Sequence, residues 1–516
     1  MSVDIVLVNP PVSLAGFIRI GEPLGLCYLA SALRNNGYQV KIIDANIQSM
    51  SLEQISSVII SESPYIVGLS CMTHNVRQCI QLARAIKKLC LDVHICIGGY
   101  LATVAHLNLL KDFQVIDSAI RGEGEETIVE LADVLTSPID EKKKGIRMEK
   151  IKGLTFRNPI DRKIHINPPR PLNSNLDSYP FPSRDFAREI YSKGISINIS
   201  TSRGCYGKCI YCSVNCFYTH IPGPSWRARS PENVIEELSY LYHKYNFRKF
   251  FFVDDNFVGP SPKRVMNIAK LIIKEGLDIE YVVQFRPNDC YYLNLKLLRK
   301  SGLKCVYLGI ESFFEPTLRK FKRGLSLNDN IRAINLLKEN NIFPILGFIF
   351  FHPWLSMKEI YINLKFLERF IDYFDHNFYW NTLGAHWGTE LWSMLKEKGD
   401  LNGRYNEFGK YMPIWKFYDA NISKIARWVY RYVLEGAAKV DALLEESYYK
   451  FLKSNNIAML NSWKDIRKNV RKNHIDYIKE ITNAVMSGNE CTLSQILERR
   501  INNLNKLLNK LKVVYL

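Results

Sequence analysis

Ser202-Arg203-Gly204-Cys205-Tyr206-Gly207-Lys208-Cys209-Ile210-Tyr211-Cys212 is the stretch whose reading decides the fold. Its cysteines follow C-x3-C-x2-C, with the aromatic Tyr211 just before the third. The spacing supplies three thiolates and not four. Three thiolates hold three irons of a 4Fe–4S cube and leave the fourth iron open to a ligand that is not protein. The competing reading is a structural zinc ion, which wants four ligands and usually a second pair further along the chain. Cys216 offers a fourth thiol, but all four would then crowd one short segment with no partner His pair nearby. Cys205, Cys209 and Cys212 are therefore read as cluster ligands.

The run resembles the cluster motif of the radical S-adenosylmethionine (SAM) superfamily. The resemblance implies that the open iron binds the amino and carboxylate groups of SAM. One electron from the cluster then cleaves SAM to a 5′-deoxyadenosyl radical. It further implies an external low-potential electron donor of the flavodoxin or ferredoxin type.

Bulk properties agree with an enzyme of this size. A chain of 516 residues, 47% apolar and 23% charged, has the composition of a globular protein with ample core. No segment reaches the ~20 apolar residues that span a bilayer, and the N-terminus reads as a strand rather than a signal peptide. Most of the 12 cysteines stand singly inside apolar stretches, as Cys27, Cys71, Cys96 and Cys305 do. That pattern fits buried free thiols in a reducing, cytoplasmic setting better than a disulfide scaffold. The net charge of +18 suits an anionic small molecule, an acidic lipid surface or nucleic acid, and also arises from nucleotide bias alone.

Residues 3 to about 130 alternate short apolar strands with amphipathic helices: Val3–Val8, Leu24–Asn35, Val40–Ile43, Leu52–Ser61, Ile66–Ser70, Val76–Leu89 and Val93–Ile97. That rhythm predicts βαβ units and a parallel sheet, with ligands at the strand C-terminal ends. The loops there contain Pro10, then Ser70 with Thr73 and His74, then Gly98-Gly99-Tyr100, then Gly122 and Glu123. Gly98-Gly99 directly after a strand lets a bulky ligand approach the backbone. The Pro10-Pro11 loop, Glu22-Pro23-Leu24-Gly25-Leu26, the stretch from Gly98 to Thr103 and that from Arg121 to Glu125 resemble the cobalamin-binding domain that precedes many radical SAM domains. The expected cobalamin contacts are Pro10, Ser70, Thr73, His74, Gly98, Gly99, Tyr100, Gly122 and Glu123; Tyr100 stands where relatives often have His. Asp92-Val93-His94 begins like the D-x-H-x-x-G motif whose His ligates cobalt, but Gly98 falls one residue late. His94 is read as a strand histidine, leaving His74 as the other candidate beneath the corrin.

Between Ser137 and Lys193 the pattern breaks into a linker. Glu141-Lys142-Lys143-Lys144 reads as a solvated charge run, and a small hairpin is expected over Gly153–Ile166. Strand Ile195–Ser200 then runs into the cysteine loop. Strands and helices alternate to about Ala385, predicting a partial (β/α)6 barrel whose chemistry sits at strand C-terminal ends. The resemblance puts SAM contacts at Tyr211, at Asp254-Asp255-Asn256, at Arg286 (for a carboxylate), at Glu311 and Ser312 (ribose and methionyl), and at Phe348 (adenine). Where relatives have a Gly-rich tail, this chain reads Phe350-Phe351-His352-Pro353-Trp354, which is expected at the barrel mouth. His386-Trp387-Gly388-Thr389-Glu390-Leu391 matches the element that closes the barrel.

From Leu391 onward, apolar residues recur at helical spacing, as Ile422, Ile425, Ala426, Val429 and Val433 do. The expected organisation is an α/β protein in four parts. A Rossmann-like cobalamin-binding domain covers 1–136, a linker 137–193, a TIM-type radical SAM partial barrel 194–390, and a mostly helical C-terminal domain 391–516. The expected activity is methylation of an unactivated carbon of a small, natural-product-like and anionic substrate, with cobalamin, SAM and the cluster as cofactors. The rival with the same cofactors is a rearrangement, ring contraction or cyclisation without methyl transfer. An RNA-modifying enzyme would usually carry further N-terminal cysteines and a terminal β-barrel, so neither nucleic acid nor membrane is an expected partner.

Overall fold

A computed structural model of the chain describes residues 3–12, 21–90, 92–374, 377–402, 414–454 and 457–515. They form two compact units. The first comprises residues up to Val283 with Lys300–Gly302 and Ala385–Ile414; the second comprises Gln284–Arg299, Leu303–Gly384 and Trp415–Leu516.

The first unit is built on a seven-stranded sheet. Its strands are β1 (Ile5–Asn9), β2 (Val40–Asp44), β3 (Ile66–Ser70), β4 (His94–Gly98), β5 (Ser118–Ile120), β6 (Leu154–Arg157) and β7 (Ile164–Ile166), in the order β2-β1-β3-β4-β5-β6-β7. The first five are parallel. Their residues are apolar at nearly every position because helices cover both faces, so alternation would serve nothing. The covering helices Leu24–Asn35, Leu52–Glu62 and Val76–Leu89 lie where the periodicity predicts them. Ser51 and Gln54 close a capping box at the start of the second of these.

The expected hairpin and the solvated charge run are both present, and the structure adds to each. The hairpin does not stand apart: β6 pairs antiparallel with β5 and extends the sheet. The charge run lies inside a helix, Glu141–Met148, begun by the Asp140 carboxylate accepting from the Lys143 amide at 2.8 Å.

The same unit continues into the cysteine region. β8 (Ile197–Ile199), β11 (Lys249–Phe252) and β12 (Glu280–Phe285) are parallel neighbours. Between β8 and β11 the chain forms a short antiparallel ribbon of β9 (Ser202–Gly204) and β10 (Trp226–Ala228). In the second unit β13 (Leu303–Glu311) pairs in parallel with β14 (Phe343–Phe348). The sixth barrel strand is reduced to two isolated parallel bridges, Leu346 to Phe374 and Phe351 to Thr382. Four helices complete this unit: Ala420–Tyr432, Ala438–Ser454, Ile457–Met486 and Leu493–Tyr515. A buried polar chain ties them to the end of the barrel. Tyr379 donates to Asp441 at 2.8 Å, His474 meets Asp441 at 3.2 Å and Tyr432 at 2.9 Å.

Within the first unit, a buried charge network joins the sheet to the cysteine region. Arg184 pairs with Glu22 and, at 2.6 Å, with Glu237, which also pairs with Arg229. Glu237 is 1% exposed, so neither arginine can replace it with water. Glu237→Ala is expected to cost about 3–5 kcal/mol, because it leaves buried guanidinium charge without its partner. Denaturant unfolding followed by circular dichroism checks this.

Candidate functional site

The cysteine loop is held from below by one carboxylate. Asp254 follows β11 and is 1% exposed. Its Oδ1 accepts from the Thr201 amide at 2.8 Å, the Ser202 hydroxyl at 2.7 Å and the Ser202 amide. Arg264 donates to the Thr201 hydroxyl at 2.9 Å and completes the cluster of bonds. Thr201 and Ser202 lead into β9, so Asp254 fixes where Gly204 and Cys205 begin.

Gly204 has φ of +87°, and a Cβ there would lie 1.8 Å from the Ser225 carbonyl oxygen. Only glycine lets the ribbon close at this point.

The three cysteines then follow on a loop and a helix start. The Gly207 amide donates to the Cys205 sulfur at 3.3 Å, a bond that favours the thiolate. Cys212 is the N-cap of helix Ser213–Thr219. Burial pushes its thiol up to about 12, against the pull of the Val214 and Asn215 amides. A cationic cluster would reverse that penalty and release the proton. Among the described residues no three His, Cys, Asp or Glu side chains converge on a point that one metal ion would fill. A cube needs no such convergence, because each thiolate takes its own iron. The donor set fits a cluster.

The expected SAM residues divide. Asp254 and Asn256 turn inward. The Asn256 side chain accepts from the Gly259 amide at 2.5 Å, and its carbonyl accepts from the Trp226 indole at 2.9 Å. Asp255, between them, points the other way and is exposed, with one bond to the Gly204 amide at 3.1 Å. Desolvation by the surrounding protein, with the neighbouring Asp254 charge, raises its carboxyl to about 6 against the pull of the Gly204 amide. Tyr211 lies between Cys209 and Cys212, half-buried.

In the second unit, Arg286 is 8% exposed and donates to the Arg323 carbonyl. Glu311 stands at the bulge that ends β13 with φ of +64°, a strained setting for a residue with a side chain. Ser312 and Phe348 are turned into the interior. Ser312 donates to Glu359 at 3.0 Å, and Phe348 packs among Phe313, Phe350 and Phe374. His352, just past the C-terminal end of β14, is closed off from solvent. It is 1% exposed, with Nε2 at 3.2 Å from Glu359.

The expected cobalamin residues also divide. The strand order β2-β1-β3-β4-β5 reverses direction between β1 and β3, the point where such sheets bind ligands. Three loops converge on this edge. Asn9 donates to Asp44 at 2.8 Å and orders the turn into Pro10, which is buried. Asn75 receives the Met72 amide at 2.7 Å and donates to the Ser70 carbonyl at 3.0 Å, closing the loop that carries Thr73 and His74. The Thr73 hydroxyl is buried without a hydrogen-bond partner, and His74 is exposed. Gly98 faces open space, with nothing within 4 Å of a Cβ, and Gly99 has φ of +99°. An open glycine cradle and an orphaned hydroxyl fit a large polar cofactor. His94, as expected, is a strand residue, 2.8 Å from the Ser118 hydroxyl of β5.

Tyr100, Gly122 and Glu123 face the cysteine region instead. The Tyr100 hydroxyl donates to the Trp387 carbonyl at 2.7 Å, and Leu391 donates to the Ile210 carbonyl of the cysteine loop at 3.0 Å. A Cβ on Gly122 would lie 2.8 Å from the Ile221 side chain. Glu123 takes a bidentate pair from Arg227 at 2.6 and 2.9 Å and a third contact from Arg203 at 3.3 Å. Sequence reading missed Arg203, Arg227 and Glu125, although Arg203 directly precedes Gly204-Cys205.

A flavodoxin-like sheet open at its switch point, joined in one unit to a three-cysteine loop on a parallel strand array, defines a two-cofactor α/β enzyme. Family comparison agrees. Residues 15–132 match the B12 binding domain and residues 199–367 match the radical SAM superfamily. A methyltransferase of Pyrococcus horikoshii, itself uncharacterized, is 31% identical over 83% of this chain and 91% of its own. The chain belongs to the radical SAM enzymes that carry an N-terminal B12-binding domain.

An anaerobic magnesium-protoporphyrin IX monomethyl ester cyclase of Synechocystis is 26% identical over 67% of this chain and 68% of its own. A hopanoid C-3 methylase of Methylococcus capsulatus is 28% identical over 66% and 62%. Among solved structures, the cobalamin-dependent SAM radical enzyme OxsB, with aqua-cobalamin and SAM bound, superposes with a TM-score of 0.69. It is 16% identical and is matched over 99% of this chain and 84% of its own. The radical SAM methyltransferase TsrM of Kitasatospora setae gives a TM-score of 0.62 at 18% identity, with 78% of each chain matched. Among the described residues no helix is long and apolar enough to cross a membrane.

Gly204→Ala is expected to open the ribbon and abolish cluster assembly. Iron content and visible absorbance after anaerobic reconstitution check it, with Gly25→Ala, exposed on helix Leu24–Asn35 and with nothing within 4 Å of its Cβ, as the benign comparison.

Proposed function

We propose that this chain is a cobalamin-dependent radical SAM methyltransferase acting on an unactivated carbon of a small, anionic molecule. The observation that carries the reading is the presence, within one unit, of the sheet edge open at Gly98 and the three-cysteine loop. The methyltransferases among the relatives support the direction of the chemistry. The cyclase relatives favour a second reading, a radical cyclisation or rearrangement with the same cofactors.

When bound, the cluster and SAM supply a deoxyadenosyl radical, and the corrin carries a methyl group. The protein's part is to hold and shield. Cys205, Cys209 and Cys212 hold three irons, and the Gly207 amide eases the charge on one sulfur. Asp255, the outward member of its triplet, receives the SAM ammonium. Pro10, Ser70, Thr73, His74, Gly98 and Gly99 would hold the corrin. A flavodoxin- or ferredoxin-type protein delivers the electron in the cytoplasm.

The experiment is anaerobic reconstitution with iron, sulfide and hydroxocobalamin, then incubation with SAM and a low-potential reductant. Retained corrin with both S-adenosylhomocysteine and 5′-deoxyadenosine supports methyl transfer. Deoxyadenosine and corrin without S-adenosylhomocysteine moves the assignment to cyclisation or rearrangement.

Gly98→Ala is expected to fold as the parent does, since its methyl meets nothing, yet to bind corrin about tenfold more weakly; absorbance titration checks it.

Asp255 gives a pH prediction. Its carboxyl is raised to about 6, so the carboxylate that attracts an ammonium exists above that pH and is lost on acidification through it. SAM affinity should fall by up to about tenfold per unit below pH 6. Asp255→Asn should bind weakly and show no such limb, measured by equilibrium dialysis.

A further inference from the structure

β9 and β10 place two arginines directly opposite one another. Arg203 and Arg227 are register partners on the ribbon that carries Gly204 and Cys205. Like charges directly opposite on paired strands repel. Here both are also shielded from water, with side chains 15% and 2% exposed. The ribbon therefore needs counter-charge, and it comes from a loop of the other cofactor's sheet. Glu123 meets both arginines, and Glu125 meets Arg203 at 2.7 Å. Tyr28 and Tyr179 sandwich the Arg203 guanidinium with ring centroids at 5.0 and 5.1 Å, and Tyr218 lies 5.5 Å from that of Arg227. Burial alone would push the Glu123 carboxyl up, but the Arg227 bonds and the Arg203 charge outweigh it and hold it below the usual range.

The acidic loop is also bonded to the glycine edge. The Thr103 hydroxyl donates to the Gly99 carbonyl at 2.9 Å, and the Gly122 amide donates to the same hydroxyl at 3.0 Å. From Gly99 through Thr103, Gly122 and Glu123 to Arg203 and Gly204, each step is a hydrogen bond, an ion pair or a peptide bond. The last residue leads into Cys205.

We infer that Glu123 is a positioning residue that couples corrin occupancy to the cluster loop, so that each cofactor's binding strengthens the other's. The inference rests on the reading that both cofactors bind. Coupling of this kind is reciprocal and typically amounts to about 5–150-fold in affinity. A residue that merely supported the fold would lower stability without changing the ratio of affinities in the two cluster states.

The test is hydroxocobalamin titration of the full chain, followed by absorbance, with the cluster reconstituted and with it omitted. The parent protein is expected to bind corrin at least fivefold more tightly in the cluster-loaded form. Glu123→Gln should bring that ratio below about twofold while melting cooperatively. Arg227→Lys keeps the ribbon charge but loses the bidentate fork, and should give an intermediate ratio even if Glu123→Gln fails to fold. Glu126→Gln changes the same charge three residues away, where the partner is Arg170 at 2.8 Å on the exposed side, and should keep the parent ratio. A parent ratio near one, or a Glu123→Gln ratio equal to the parent's, overturns the inference while leaving the cofactor reading intact. No corrin binding in either form overturns the cofactor reading and the inference with it.

Discussion

The buried carboxylate of Asp254 is the constraint on which the cysteine loop depends. Three thiols within one short loop repel one another once ionised, and the loop's own bonds, such as Gly207 to the Cys205 sulfur, act only after the chain has entered it. Asp254 supplies the rigidity from outside by gathering the amides and hydroxyls of Thr201 and Ser202 at one point. Burial opposes its charge and raises its carboxyl, and the donors around it, with Arg264, compensate. The Gly204 turn and the ribbon follow from that fixed start. A preorganised first cysteine reduces the ordering that cluster binding must otherwise supply.

Much of this was legible in the sequence, and what was not has a physical reason. Helices such as Leu24–Asn35 and Val76–Leu89 were readable because an apolar stripe repeats with the helical period. Parallel strands were readable as short apolar runs between them. The roles of single charges were not. Asp254 and Asp255 are adjacent and chemically identical, and only the alternation at a strand end sends one inward and the other out. Glu123 sat in a loop whose resemblance pointed to cobalamin, but its partners Arg203 and Arg227 lie far along the chain, and an isolated ion pair leaves no periodic trace. The Asp140 cap was a readable helix start, hidden by a run of like charges that looked solvated. Ser312 and Phe348 occupied family positions, yet the interior claimed both, through Glu359 and the phenylalanine cluster.

The departure at Phe350-Phe351-His352 has a packing explanation. A Gly-rich tail would leave the backbone close to a ligand, whereas here bulky residues fill the space beneath the barrel end. Phe351 meets Phe417 and Tyr430 at 5.8 Å each, drawing the helical region into the same core. His352 is enclosed with Glu359, which Ser312 and Thr317 also bond. Sequence likeness to methyltransferases and cyclases alike is then unsurprising, because in cofactor enzymes one scaffold serves several outcomes and the residues that shape the substrate's place decide between them.

The joint between the glycine-edged sheet and the cysteine region is made with charge. Glu22, Arg184, Glu237 and Arg229 fix one part of it, and Glu123, Glu125, Arg203 and Arg227 another. Apolar residues of equal volume would serve stability as well or better, since desolvating ions is costly. What they would not supply is register. An apolar face tolerates sliding, whereas a bidentate guanidinium–carboxylate pair loses its bonds within a fraction of an ångström. Groups that are to react must be brought to within about 3–3.5 Å of one another, so a site assembled from two parts of a chain depends on their register. Two separate sets of buried ion pairs, one of them carrying the Arg227–Glu123 fork, favour one register of the joint, and that is what charge kept away from water supplies here.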